Sequence, residues 1–99
     1  MIRITVVKRA LFEELISDVA PTNKEFSKCE KFTDGQVFLI VGAKQIPEGF
    51  CSWAWADIQR DVAMIECGGE PKPKLNMPHS MYSCCSEGLR PVVFKIEKI

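Results

Sequence analysis

The chain has a single histidine, His79, and no Cys-x-x-Cys pair, so neither a zinc ribbon nor a histidine-built metal site can be read from spacing. It also lacks a phosphate loop, a dinucleotide fingerprint, a nucleophile elbow and a His-Glu-x-x-His helix, which leaves the commonest nucleotide and hydrolase chemistries without their motifs. No apolar run approaches the ~20 residues that a transmembrane helix needs. Neither sign of charge dominates: thirteen basic residues balance thirteen acidic ones. Without a block of either sign there is no broad field for a polyanion or an anionic membrane, so neither nucleic acid nor membrane is expected as a partner. The nearest approach to a basic cluster is Lys72 and Lys74 between prolines, with Lys95 and Lys98 further on, and both read as solvated surface. Residues Met1 to Arg9 alternate apolar with polar and carry charges, which breaks the apolar core of a secretory signal and gives a cytoplasmic expectation. In that reducing setting the five cysteines should be thiols, and their odd number already argues against a disulfide framework.

What is present fits one domain over residues 1–99, with 46% hydrophobic and 26% charged residues. Ile2, Ile4 and Val6 alternate with Arg3, Thr5 and Val7, and Val92, Phe94 and Ile96 alternate with Lys95 and Glu97; both are strands with one buried face. Gln36 to Val41 follows the turn pair Asp34-Gly35 and is apolar after Gln36, the pattern of a strand covered on both faces. Met81 to Cys85 reads as a fourth strand, and the five residues Ser86 to Arg90, with Gly88, suit a hairpin into the last strand. A long helix is expected over about Ser52 to Cys67, where Cys51, Ala54, Trp55, Ile58, Val62 and Ile65 recur at steps of three and four. Ser52 is the candidate N-cap, and Gly68-Gly69 with Pro71 and Pro73 mark the stop. A shorter helix is expected over Leu11 to Val19, with Leu11, Leu15 and Val19 on one face and Pro21 ending it. The expected fold is α+β: a mainly antiparallel sheet of about four strands, one long helix over it and one short helix.

The segment Pro47 to Ala56 holds both tryptophans and Cys51 around a helix start, which makes it the most informative part of the chain. A thiol there has a helix dipole to stabilise its thiolate, yet Cys51 also continues the apolar stripe and could be an inert core thiol. Trp53 and Trp55 are about 200° apart on a helix, so one joins the core and the other faces elsewhere. With Trp55 on the stripe, Trp53 beside Phe50 is the candidate aromatic patch for a ligand or partner, the alternative being a Trp53 packed under the Pro71–Pro73 loop. Cys84 and Cys85 are adjacent in a strand and point to opposite faces, so only one of them can serve a given site. Cys29, Cys51 and Cys85 could assemble a three-thiol metal cluster on folding, or each could fill a core position. Asp57, Arg60 and Asp61 read as a solvated helix face. Arg90 precedes Pro91 at the mouth of the last hairpin and is expected to anchor a loop, with Glu48 or Asp34 as its acidic partner, or to capture an anion beside Cys51.

The pieces Phe50-Cys51-Ser52-Trp53-Ala54-Trp55, Gly68-Gly69 and Cys84 to Lys95, with Gly88-Leu89-Arg90-Pro91-Val92 inside it, resemble a small prokaryotic family of about this length. The resemblance covers nearly the whole chain and implies no particular activity. It implies that Cys29, Cys51 and Cys85 are the family's recurring cysteines, while Cys67 and Cys84 occupy variable positions. Many relatives place Gly-His shortly after the first cysteine; Glu30-Lys31-Phe32 stands there in this chain, which removes one histidine ligand.

Two functional expectations follow from different classes. One is a cytoplasmic accessory domain in which Cys29, Cys51 and Cys85, beside Trp53 and Arg90, hold a thiolate-bound metal or act by thiol redox chemistry. The other is a protein-interaction or homodimerisation module in which the cysteines are core residues and Trp53 with Phe50 forms the contact. An enzyme with a Cys51 nucleophile is the least supported class, because no base lies near Cys51 in the sequence.

Overall fold

A computed structural model of the protein describes residues 1–19, 26–69 and 78–99. In chain order the elements are strand β1 (Ile2–Arg9), helix α1 (Glu13–Val19), strand β2 (Val37–Ile40), helix α2 (Ser52–Glu66), strand β3 (Ser80–Cys84) and strand β4 (Val92–Lys98). The four strands form one antiparallel sheet in the order β2-β1-β4-β3, an α+β fold. Pro21, Lys72, Lys74 and the Pro71–Pro73 loop lie outside the described residues.

Period-two alternation decides which face of the sheet is buried. Ile2, Ile4 and Val6 of β1 and Val92, Phe94 and Ile96 of β4 are at most 1% exposed, and α2 covers them with Ala54, Trp55, Ile58, Val62 and Ile65. Four phenylalanines and Trp55 fill one end of this core. Phe50 sits among them, with ring centroids 4.9 Å from Phe38, 5.0 Å from Phe32, 5.3 Å from Phe94 and 5.8 Å from Trp55. Most of these pairs meet edge to face, which places positive ring edges against negative faces.

Helix α2 starts one residue earlier than its sequence signature suggests. Cys51 rather than Ser52 is the N-cap, with φ −70° and ψ 126° and no side-chain cap bond. Its end is a Schellman turn: the Gly69 N–H reaches the Met64 carbonyl at 2.9 Å and the Gly68 N–H reaches Ile65 at 3.1 Å, with Gly68 at φ 82°. In the last turn, the Glu66 carboxylate accepts the Ala43 N–H at 3.0 Å, and a Cβ at Gly42 would collide with that carboxylate. Gln59 donates to the Ala43 carbonyl at 2.9 Å, so the turn after β2 is latched to α2 at two points.

Two expectations about apolar faces are corrected. The Gln36–Val41 run is not covered on both faces: β2 is an edge strand, and Val37, Leu39 and Val41 are 49%, 58% and 84% exposed. In α1 the buried residue is Ile16, while Leu15 and Val19 are exposed, so the stripe lies on a different face from Leu11-Leu15-Val19. That helix is only seven residues long, too short for its pattern to fix a face.

On the outer face, Arg3 Nε donates to Glu97 Oε1 at 3.2 Å, and Lys95 adds a second cation at 3.6 Å. The Arg3 hydrogen bond holds the Glu97 carboxyl below its ordinary value of 4.5, with partial burial opposing and Lys95 assisting. Because the folded value is the lower one, this pairing stabilises the fold above pH 4.5 and is lost as pH falls through the depressed value. The melting temperature should therefore drop on acidification below that pH, and Glu97→Gln should flatten the drop. Identical acid profiles for the two proteins would place the acid sensitivity at another carboxylate.

Candidate functional site

A cleft of about 640 Å³ opens where the N-terminus of α2 meets the segment around Cys29 and the β3–β4 hairpin loop. Three sequence-distant cysteines line it: Cys29, Cys51 and Cys85, each half-buried. Trp53 and Arg90 line it as well, so five of the six residues singled out from the sequence meet in one place. Phe50 does not. At 6% exposure it is part of the aromatic core, and the patch expected from Phe50 with Trp53 does not form. Trp55 takes the core position at 8% exposure, and Trp53 stands out from the helix at 83%.

A bulge in β1 positions the Cys29 wall. Val6 pairs with Phe94 but Lys8 pairs with Val93, so Val7 is an extra residue that shifts the alternation by one. Arg9, which uninterrupted alternation would send to the outer face with Arg3 and Thr5, is opposite the inward-facing Val92 instead. From there its Nη1 donates to the carbonyls of Cys29 and Phe32 at 2.9 and 3.2 Å, and its Nε to Asp34 Oδ1 at 3.0 Å. The guanidinium holds the Asp34 carboxyl below its usual range, chiefly through that hydrogen bond and against a small cost of burial. One side chain thus ties Cys29, Phe32 and Asp34 together. The fixed fork of donors explains why an arginine can do this.

The hairpin wall is held by α2. Asp57 accepts the Ser86 N–H at 2.7 Å and its hydroxyl at 2.9 Å, and Asp61 Oδ2 accepts the Ser83 hydroxyl at 2.6 Å. These carboxylates are therefore not a solvated face: they bolt the helix to β3 and to the loop beyond it, and only Arg60, with its side chain 88% exposed, faces solvent as expected. Within the hairpin, the Cys85 N–H donates to the Val92 carbonyl at 3.0 Å and the Val92 N–H donates to Cys85 Sγ at 3.2 Å, which fixes the sulfur's direction.

Arg90 is placed differently from its expected role. It lies 3.8 Å from Glu87 and 5.3 Å above the Phe26 ring, and Asp34 belongs to Arg9. Arg90 lines the cleft, and among the described residues its guanidinium donates no hydrogen bond. Cys84 faces away from Cys85, as adjacent strand residues do, and its thiol is pushed up by partial burial and then by Cys85 and Asp57. A thiol shifted that way stays protonated at neutral pH and is a poor nucleophile. Cys67 is exposed beyond the end of α2, and neither it nor Cys84 lines the cleft.

The cleft is lined by thiols, an exposed indole, the cations Lys31 and Arg90 and the carboxylates of Asp57 and Glu87, beside the start of α2, whose N-cap Cys51 makes no side-chain cap bond, but by no histidine; His79 is exposed at the turn before β3, with φ 55°. Among the described residues, no three His, Cys, Asp or Glu side chains converge closely enough to hold a metal ion. Among them too, no helix is long and apolar enough to cross a membrane. Compared with protein-family models, curated proteins and solved structures, the chain matches none.

Proposed function

We propose that the protein is a small cytoplasmic thiol-dependent accessory domain whose cleft binds a low-molecular-weight disulfide and exchanges with it through Cys51. The observation that carries this reading is the meeting of Cys29, Cys51 and Cys85 in one cleft although they come from three separate parts of the chain. All five cysteines are free thiols, which suits a reducing compartment. In the exchange, the Cys51 thiolate attacks one sulfur of the disulfide, forming a mixed disulfide and expelling the other half as a thiolate, which takes up the proton that Cys51 lost. Cys51 is oxidised and the departing half is reduced. Arg90 and the α2 N-terminus would receive a carboxylate of the ligand. The metal-binding reading of the same thiols has less support, since no three ligands converge among the described residues.

The test is freshly reduced protein exposed to oxidised glutathione, with adducts located and timed by peptide mass spectrometry. Exposure alone predicts that Cys67 and Cys84 react first. The proposal predicts that Cys51 leads, that Cys51→Ser removes this fast phase, and that Arg90→Ala slows it without changing the melting temperature. Adducts that build up fastest at Cys67 and Cys84 would sink it.

A second reading rests on Trp53, whose 83% exposure is unusual for so large an apolar side chain. There the indole at the rim of the cleft is a docking contact for a protein partner. Trp53→Ala tests this reading: it should abolish partner capture while the melting temperature stays the same.

A further inference from the structure

The free edge of β2 has the properties of an interface that ordinary edge strands are built to avoid. Gln36 to Ala43 contains no charge, no proline and no bulge, three of the usual means of keeping an edge from pairing; the shortness of the strand, four residues, is the one it has. The orientation of its backbone follows from the ladder. Val6 N–H donates to the Gln36 carbonyl, so Phe38 and Ile40 spend their N–H and C=O groups on β1, while the Gln36 N–H closes the preceding turn onto the Thr33 carbonyl. The odd-numbered residues Val37 and Leu39 aim theirs away from the sheet, where they meet no partner among the described residues, and Val41, one residue past the strand, makes no backbone bond among them either. These same three residues expose their side chains on the outer face.

We propose that β2 pairs with β2 of a second copy, antiparallel about a two-fold axis at Leu39, to give a continuous eight-stranded sheet across a homodimer. The register follows from hydrogen bonding. Only an axis at Leu39 places Val37 opposite the partner copy's Val41 and Leu39 opposite its own counterpart, so that all three outward-facing residues bond and stack. Charge favours a second copy over an arbitrary peptide. The strand itself is neutral and the whole chain has no net charge, and the antiparallel dyad brings the exposed Lys44 after the strand toward the partner copy's Asp34, whose side chain stays 58% exposed while it pairs with Arg9. A groove of about 690 Å³ runs beside the edge, lined by β2 with Ile46, Pro47 and Glu66, and gives the incoming strand room on the inner side.

The experiment is sedimentation of the whole chain in reducing buffer, which prevents crosslinking through Cys67 and Cys84, with far-UV circular dichroism to confirm folding. The wild type should be a dimer. Leu39→Lys and Leu39→Glu should each be folded monomers, because like charges then meet on the axis, and an equimolar mixture of the two should regain the dimer mass. Leu39→Pro should also be a folded monomer, since the Leu39 N–H points outward and its loss spares the β1 ladder. A wild type that is monomeric at millimolar concentration overturns the proposal, and so does a dimer that survives both Leu39→Lys and Leu39→Pro. A monomer that instead captures unrelated extended peptides along β2 also overturns it.

Discussion

Phe50→Ala is expected to remove a large share of the protein's stability. The side chain is 6% exposed and touches four other aromatic rings at centroid distances from 4.9 to 5.8 Å. Truncating a buried phenylalanine costs about 3–5 kcal/mol, because the cavity adds to the lost transfer energy. A domain of this size has roughly 5–15 kcal/mol in total, and each lost kcal/mol lowers its melting temperature by about 4–8 °C. The melting temperature should therefore fall by at least ~12 °C. Phe50→Leu, which keeps much of the volume, should fall far less. Trp53→Ala is the contrast: its ring is 83% exposed, and substitutions at such surface positions usually stay within about 0.5 kcal/mol. A Trp53→Ala loss as large as that of Phe50→Ala would overturn this division of roles between the neighbouring aromatics.

The second large effect is expected at Arg9. Its guanidinium is the only group seen to satisfy the Cys29 and Phe32 carbonyls through side-chain donors among the described residues, and it pairs with Asp34. Arg9→Ala removes all three bonds at once and releases the segment that carries one wall of the thiol cleft. Alkylation of Cys29 should then become roughly tenfold faster or more, as expected when a local opening replaces a tied-down state. Labelling at Cys67, which has no contact with this segment, should not change. Arg9→Lys should behave like Arg9→Ala, because a single ammonium cannot reproduce three directed donors. A Cys29 rate unaffected by either substitution would show that Arg9 does not hold the wall.

The contrast between Arg9 and Arg90 shows where the sequence is informative. The apolar positions of β1 and β4 and the three-and-four spacing of α2 are local patterns, so the sheet, the long helix and the place of Trp55 on the buried stripe could be read directly. The phase of β1 beyond Val6 could not. The bulge at Val7 is set by pairing with β4 far away in sequence, and it turns Arg9 from the outer face to the inner one. Asp34 was therefore assigned to the wrong arginine. The same reason accounts for β2: an unbroken apolar run means a strand covered on both faces only if strands flank it, and flanking is decided by long-range pairing. Asp57 and Asp61 looked solvated because the serines that they bind arrive from β3 and its loop, more than twenty residues downstream. The two hydroxyls that flank the thiols in Ser83-Cys84-Cys85-Ser86 were the one available sign that polar partners were needed there.

The central pair of the sheet joins β1 to β4, with Ile2 opposite Lys98 and Arg9 opposite Val92. Closing that pair means closing a loop that contains every other element, so the chain must give up its largest share of loop entropy before its best-buried ladder forms. This places folding toward the slower, milliseconds-to-seconds end of the range for small domains. It also has a consequence during synthesis. Until residues 92–98 have emerged from the ribosome, the apolar row Ile2, Ile4 and Val6 and the stripe of α2 have been made but lack Phe94 and Ile96 to pack against. Until then the nascent chain carries that uncovered surface in the form that chaperones bind and that aggregates when it meets another copy.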